Sequence, residues 1–380
     1  MGQVKAKDTA PLEIYVHIPF CARKCAYCDF LSYPAKEEDQ ETYVRALLKE
    51  IRALSVRERQ VSSVFIGGGT PSLLKAEWIA EILDNLKENY SFSPDAEVSI
   101  EANPGTLSQE KLCCYKAHGV TRLSLGLQST AEEELRMLGR IHTWQDFWES
   151  YDLARKEGFS NINVDLMFAL PEQTYESWIK SLRTVAGLEP EHISAYSLIV
   201  EEGTLFSKRK LSLPDEETEY RMYEDTAAVL EEYGYHQYEI SNYAKKGYAC
   251  RHNLGYWKRY DYLGMGLGAA SLYKGTRFSN TNDMEEYLTY SAEPDRIRKE
   301  KSPLTRREEM EEFMILGLRM TGGISEEEFL RQFGDNLETV YGKVLNKYKD
   351  MGFLEKEGCM WRFSRKGIHV SNQILADFLE

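Results

Sequence analysis

From residue 11 onward, short apolar runs rich in β-branched residues alternate with longer stretches that carry helical spacing of apolar positions, the pattern of βαβ units around a parallel sheet. The pattern predicts strands near Leu12 to Ile18, Val61 to Ile66, Glu97 to Glu101, Arg122 to Leu127, Asn161 to Leu166 and His192 to Leu198. Between and after them it predicts helices near Glu41 to Ser55, Ala76 to Asn89, Ser108 to His118, Thr143 to Glu157, Tyr175 to Ala186 and Asp215 to Tyr233. Six such units predict an α/β fold built as an open, partial (β/α)6 barrel. In barrels of this kind the chemistry gathers at the C-terminal ends of the strands.

After Tyr243 the alternation fails. A tract rich in Gly, Tyr and Trp runs from Gly247 to Tyr273, and residues 291 to 305, charged and carrying Pro294 and Pro303, read as a linker. From Arg306 the pattern predicts a helix through Met320, a second near Glu326 to Phe333, a third near Leu337 to Asp350 and a hairpin over Phe353 to Phe363. Three helices and a β wing suggest a winged-helix-like domain. The expected plan is a loose polar N-terminus over 1–10, a barrel over 11–245, an aromatic-rich segment and linker over 246–305, and a winged-helix-like domain over 306–380.

Charge narrows the possible partners. With 47 basic and 61 acidic residues the formal net charge is −14, which disfavours a surface that tracks nucleic-acid phosphates. The acidic first helix of the last domain, with Glu308, Glu309, Glu311 and Glu312, argues against a DNA-binding use of that shape. An anionic ligand must find a local basic pocket. No apolar run approaches the roughly 18 residues of a membrane span. No secretory apolar segment opens the chain, so the expectation is a soluble cytoplasmic protein.

Three of the seven cysteines stand together as Cys21, Cys25 and Cys28, a C-x3-C-x2-C loop directly after the first predicted strand. Three thiolates so close can ligate three irons of a [4Fe–4S] cube and leave the fourth open to a chelating small molecule. A structural zinc site normally wants four closed ligands, and no second C-x2-C pair follows. A disulfide is disfavoured where thiols stay reduced. Cys113, Cys114 and Cys359 read as small, partly buried hydrophobes, while Cys250 stays open because His252 lies beside it. The other strand ends carry Gly67-Gly68-Gly69-Thr70-Pro71, then Glu101, Gln128 and Asp165. Glycines at such a place let a ligand approach the backbone closely.

The triad, with Tyr27 just before its last cysteine, resembles the signature of the radical S-adenosylmethionine superfamily. That resemblance implies a cluster whose open iron chelates S-adenosylmethionine, which one electron can cleave to methionine and a 5′-deoxyadenosyl radical. Tyr15 to Phe20, Gly67 to Pro71, Ser124 to Ser129, Leu138 to His142 and Asp165 to Pro171 resemble one branch of it, the oxygen-independent coproporphyrinogen III oxidases and the HemW-type heme chaperones. Carried over by position, cofactor binding is implied for Tyr15, Tyr27, Gly68, Gly69, Thr70, Glu101, Gln128, Arg140 and Asp165. The glycines would give backbone contacts, Glu101 and Asp165 would accept hydrogen bonds from ammonium or ribose hydroxyl groups, and Arg140 would pair with a carboxylate.

Two functions differ by local features. Oxidases of this branch extend the triad to C-x3-C-x2-C-x-C, where this chain has Phe30, and they carry a longer region ahead of the first strand. The stretch His252-Asn253-Leu254-Gly255-Tyr256-Trp257 resembles an H-N-x-x-Y-W pattern of HemW-like proteins. A lone histidine beside aromatic rings is ordinarily packed and hydrogen-bonded; the resemblance instead implies heme contact at His252, Tyr256 and Trp257, with Cys250 as the fallback ligand. These features favour a heme chaperone that serves apoproteins such as respiratory cytochromes, with an electron donor for its cluster, over coproporphyrinogen oxidation.

Overall fold

The structure is a computed structural model that describes residues 11–379; the expected loose N-terminus, residues 1–10, lies outside the described residues. Its main body is a twelve-stranded sheet. Six parallel strands form its centre: β1 (Leu12–Ile18), β2 (Gln60–Gly68), β3 (Ser91–Ala102), β4 (Arg122–Gln128), β5 (Ile162–Phe168) and β6 (His192–Ser197). Helices α1 (Glu37–Ala53), α2 (Ala76–Asn89), α3 (Gln109–Ala117), α4 (Glu132–Leu138), α5 (Trp144–Lys156), α6 (Tyr175–Ala186) and α7 (Glu216–Glu232) follow these strands in turn, with both α4 and α5 after β4.

Strand side chains alternate between two environments. Leu12, Ile14, Val16 and Ile18 of β1 are fully buried in the main apolar core, as are Val64 and Ile66 of β2 and Leu123, Leu125 and Leu127 of β4. The intervening positions form a concave face that is polar yet buried: Glu13 pairs in register with Ser63, Ser63 with Glu97, Glu101 with Ser124, and Asn163 with His192. Buried polar groups need partners, so this face is organised by hydrogen bonds.

The sheet extends beyond the six expected units. On one flank β8 (Asn242–Ala244) adds antiparallel to β6, and β7 (His236–Gln237) antiparallel to β8. On the other, α8 (Arg251–Trp257) leads into β9 (Asp261–Met265), a seventh parallel strand beside β1, followed by antiparallel β10 (Ala270–Tyr273), β11 (Thr276–Asn280) and, after α9 (Met284–Tyr290) and α10 (Pro294–Ile297), β12 (Arg298–Pro303). The expected linker is therefore corrected: residues 291–305 contain α10 and the edge strand β12. Its sequence, Arg-Lys-Glu-Lys-Ser-Pro, has no apolar alternation because an edge strand can be charged and end in proline.

The last part folds around its own core of Phe313, Phe329, Phe333, Tyr341 and Trp361. It comprises α11 (Arg306–Gly317), α12 (Glu326–Phe333), α13 (Leu337–Asp350), α14 (Arg365–His369) and α15 (Ser371–Ala376), with β13 (Ile324–Ser325), β14 (Leu354–Glu357) and β15 (Met360–Phe363) in a sheet ordered β13-β15-β14. Caps set its boundaries: Thr305 and Glu308 form a capping box at α11, and Gly334 ends α12 in the left-handed conformation. Arg365 and His369 of α14 both reach Glu224 of α7.

Candidate functional site

The cysteine loop leaves β1 and is held at both its neck and its tip. At the neck, Cys21 N–H donates to the Tyr33 carbonyl (3.1 Å) and Tyr33 N–H to that of Pro19 (3.0 Å). At the tip, Ala26 N–H donates to the Leu138 carbonyl at the end of α4, and Phe206 N–H from the segment after β6 donates to the Ala26 carbonyl, both at 2.9 Å. Cys21, Cys25 and Cys28 are all partly exposed and none is in a disulfide. Thr70 Oγ1 donates to Cys21 Sγ (3.6 Å) and Arg140 Nη1 to Cys25 Sγ (3.5 Å). Burial, with the two neighbouring sulfurs, pushes the Cys28 thiol up to about 11.

This donor set fits an iron–sulfur cluster. Among the described residues no three His, Cys, Asp or Glu side chains converge on a single ion, as one zinc ion with thiolates about 2.3 Å away would require. A cube that takes one thiolate per iron spreads its ligands wider.

The glycine loop after β2 lies directly beneath. Gly68 has φ +110°, and a Cβ there would sit 2.5 Å from the His17 ring; on Gly69 it would sit 2.5 Å from the Phe20 carbonyl oxygen. The close approach these glycines permit is thus made by the chain's own β1 and cysteine loop. Gly68 N–H donates to Glu101 Oε2 (3.1 Å), and Gly69 N–H to the Ile18 carbonyl (2.8 Å). Thr70 Oγ1 in turn accepts from Asn103 Nδ2 (2.8 Å).

Arg140, just beyond α4, is half-buried beside this junction. Its Nη2 donates to Asn103 Oδ1 (2.7 Å) and to the Gly126 carbonyl (2.6 Å). With Nη1 on Cys25, the guanidinium is tied to the cluster loop, and among the described residues its buried Nε has no partner. Asn103 joins Thr70 to Arg140, a role that the sequence does not signal.

Two carboxylates share the concave face. Burial and the nearby Asp165 push Glu101 up to about 8, against the Gly68 N–H and Arg122. Asp165 is also raised by burial, opposed by Asn163, whose Nδ2 donates to Asp165 Oδ1 (2.7 Å), and by Ser194, Arg122 and Ser124. Buried carboxylates with so little cationic compensation suit a ligand that brings positive charge and hydroxyl donors. Tyr15 donates its hydroxyl to His17 Nδ1 (3.0 Å) if His17 Nε2 is the donor to the Leu31 carbonyl (2.9 Å). Burial raises the Tyr27 phenol, opposed by Arg140. Gln128 ends β4 at φ +76°, where the β4–β5 register shifts. Of the nine expected cofactor residues, Gly68, Gly69, Thr70, Glu101 and Gln128 lie at or just after the C-terminal ends of β2, β3 and β4, Tyr27 lies in the cysteine loop and Arg140 beyond α4, while Tyr15 and Asp165 sit midway along β1 and β5.

Residues 15–185 match the Radical SAM superfamily model and residues 304–370 the HemN C-terminal domain. The chain is 38% identical over 372 residues to Heme chaperone HemW of Bacillus subtilis, covering 96% of this chain and 98% of that protein. It belongs to the HemW family. It is also 43% identical over 262 residues to Heme chaperone HemW of Escherichia coli, covering 68% and 69% of the two chains. The solved structure of Escherichia coli coproporphyrinogen III oxidase (HemN), described as a radical SAM enzyme, superposes with a TM-score of 0.86 at 26% identity, covering 98% of this chain and 91% of that one. Radical SAM membership carries with it a [4Fe–4S] cluster and S-adenosylmethionine.

The HemW-like H-N-x-x-Y-W stretch forms α8, which packs below the cofactor residues against β1, β2 and β3: Phe65 of β2 stacks on His252 and also on Tyr15, and Glu97 of β3 accepts from Cys250 and Arg251. His252 is buried, with Nδ1 paired to Ser63 Oγ (2.9 Å), Nε2 to the Tyr256 hydroxyl (3.0 Å), and its ring stacked 5.3 Å from Phe65. Burial and Arg122 push it down to about 3, so it stays neutral. Both nitrogens are engaged, the arrangement of a packed, hydrogen-bonded histidine, so in this structure neither is free to meet a heme iron. Tyr256 sits edge-on between His252 and Tyr262, and Arg319 lies over Trp257. A Cβ on Gly255 would collide with the Glu13 carboxylate, so only glycine lets α8 seat here. The fallback, Cys250, is buried, donates its thiol to Glu97 Oε1 (3.3 Å), and is pushed up to about 12 by burial. Cys113, expected partly buried, is exposed because α3 turns it outward to Glu157.

Proposed function

We propose that this chain is a heme chaperone: it carries a [4Fe–4S] cluster on Cys21, Cys25 and Cys28, binds S-adenosylmethionine beside it, binds heme, and delivers heme to apoproteins such as respiratory cytochromes. The observation that carries this reading is near full-length similarity to proteins named heme chaperones. In the cofactor site, Tyr15, Tyr27, Gly68, Gly69, Thr70, Glu101, Gln128, Arg140 and Asp165 surround the ligand. Cys21, Cys25 and Cys28 would hold the cluster, which when reduced would supply the one electron that cleavage of S-adenosylmethionine needs.

The chain's own residues orient and insulate. Arg140 and Thr70 direct hydrogen bonds at the cysteine sulfurs, which stabilises thiolate charge. Glu101 and Asp165 receive ammonium and hydroxyl donors. An electron donor for the cluster is a required partner. The HemN structure favours a second reading, oxidative decarboxylation of coproporphyrinogen III. Against it stand the higher identity to heme chaperones and Phe30 in place of the oxidase's further cysteine.

Anaerobically reconstituted protein separates the two. The chaperone reading expects heme binding, seen as a Soret band on titration, and no turnover of coproporphyrinogen III. Sustained conversion to protoporphyrinogen IX by the reduced protein refutes it.

A further inference from the structure

With the aromatic stretch at the barrel floor, the open end presents a surface with heme's own chemistry. The segment after β6 runs over the rim and is tied to the cysteine loop: Phe206 packs with Ala26, Leu138 and Met167, and its N–H holds the Ala26 carbonyl at 2.9 Å. Internal bonds order it. Thr204 Oγ1 donates to the Glu201 carbonyl (2.7 Å) and accepts from Ser207 N–H (3.2 Å).

While Leu198 and Phe206 turn inward, Ile199 is 68% and Leu205 50% exposed. Tyr196, three residues before Ile199 and in register with Met167, leaves 40% of its surface open. Directly after Phe206 come Lys208, Arg209 and Lys210, all exposed. In a chain of net charge −14 such a basic run beside bare aliphatic side chains stands out, although Glu201 and Glu202 are also exposed in this segment. An apolar face flanked by cations complements a flat apolar ring that carries two carboxylates. A nucleic acid would need cations over a wider area than this one rim offers.

We infer that heme docks on the segment from Ile199 to Lys210, its macrocycle against Ile199, Leu205 and Tyr196 and its propionates on Lys208, Arg209 and Lys210. This deepens the heme-chaperone reading and rests on it.

The test uses the full chain, reconstituted anaerobically and titrated with hemin at two salt concentrations. Two variants are compared with the wild type: Ile199→Ser with Leu205→Ser, and Lys208→Glu with Arg209→Glu and Lys210→Glu. Iron and sulfide content and S-adenosylmethionine affinity at wild-type level show that each variant is folded. Each set should weaken hemin binding about tenfold, the loss expected from removing apolar contact or partly solvated ion pairs. The charge reversal should also abolish the fall in affinity with salt. Hemin binding at wild-type affinity in both folded variants overturns the assignment; if transfer to an apocytochrome is then impaired, the surface belongs to the receiving protein. Wild-type protein that binds no hemin overturns the chaperone reading itself, and this site with it.

Discussion

Single residues decide what the cofactor end can hold. Glu101 is the clearest case, since a carboxyl that desolvation raises to about 8 is largely protonated at neutral pH without a cationic partner. A cationic ligand binds its ionised form. Below pH 8, S-adenosylmethionine affinity should fall as pH falls, by up to tenfold per unit, because ionisation of Glu101 must accompany binding. Calorimetry from pH 6 to 8.5 checks this, and Glu101→Gln should flatten the slope. Asp165→Ala removes an acceptor of charged hydrogen bonds worth about 1.5–3 kcal/mol. It should weaken binding roughly ten- to hundredfold without loss of the cluster absorbance. Unchanged affinity would take Asp165 out of the site. Glu101 and Asp165 were readable from sequence because strand ends are where such chemistry collects. Arg140's attachment to Cys25 was not, since it depends on α4, a short helix with no predicted counterpart.

Elements show the same division between local and distant causes. Helices α2, α6, α12 and α13 have the bounds their sequences predict. Their apolar spacing is regular, and Thr174, Ser325 and Asn336 cap three of them. By contrast, β9 reads Asp-Tyr-Leu-Gly-Met, broken by glycine, and becomes a strand through its parallel register with β1. The end of the barrel to which His252 belongs is set by that register too, so its aromatic neighbours in sequence could not reveal it. His252→Ala should therefore leave the Soret spectrum and heme affinity of the reconstituted protein unchanged. It should cost about 1–3 kcal/mol in chemical denaturation, from the unpaired Ser63 and Tyr256. Gly255→Ala should destabilise by a similar amount through overpacking against Glu13. A shifted Soret band in His252→Ala would return that residue to heme.

At the scale of the whole molecule, one buried carboxylate ties α1 to the flank that holds β9 to β12. Glu50 of α1 accepts from Tyr287 hydroxyl (2.6 Å), Gly266 N–H (2.8 Å) and Asn280 Nδ2 (2.6 Å), while Tyr43, two turns earlier in α1, donates to the His17 carbonyl (2.7 Å) just ahead of the cysteine loop. Burial pushes Glu50 up from 4.5 to about 7. Because its folded value lies above its unfolded one, its contribution to stability is complete below pH 4.5. That contribution falls as pH rises towards 7, by about 3 kcal/mol in all. Denaturation midpoints across this range should show the decline, and Glu50→Gln should remove it; an identical pH profile in the variant would exclude Glu50 as its source.

Gly255 allows α8 to press against Glu13, so that helix covers the start of β1 while the cysteine loop leaves the other end. If S-adenosylmethionine reaches its site across the rim at that other end, it must enter before anything seated there and leave after it. Heme resting on the rim would then hold the cofactor captive, so handing over the cargo would also be the step that lets the site be refilled.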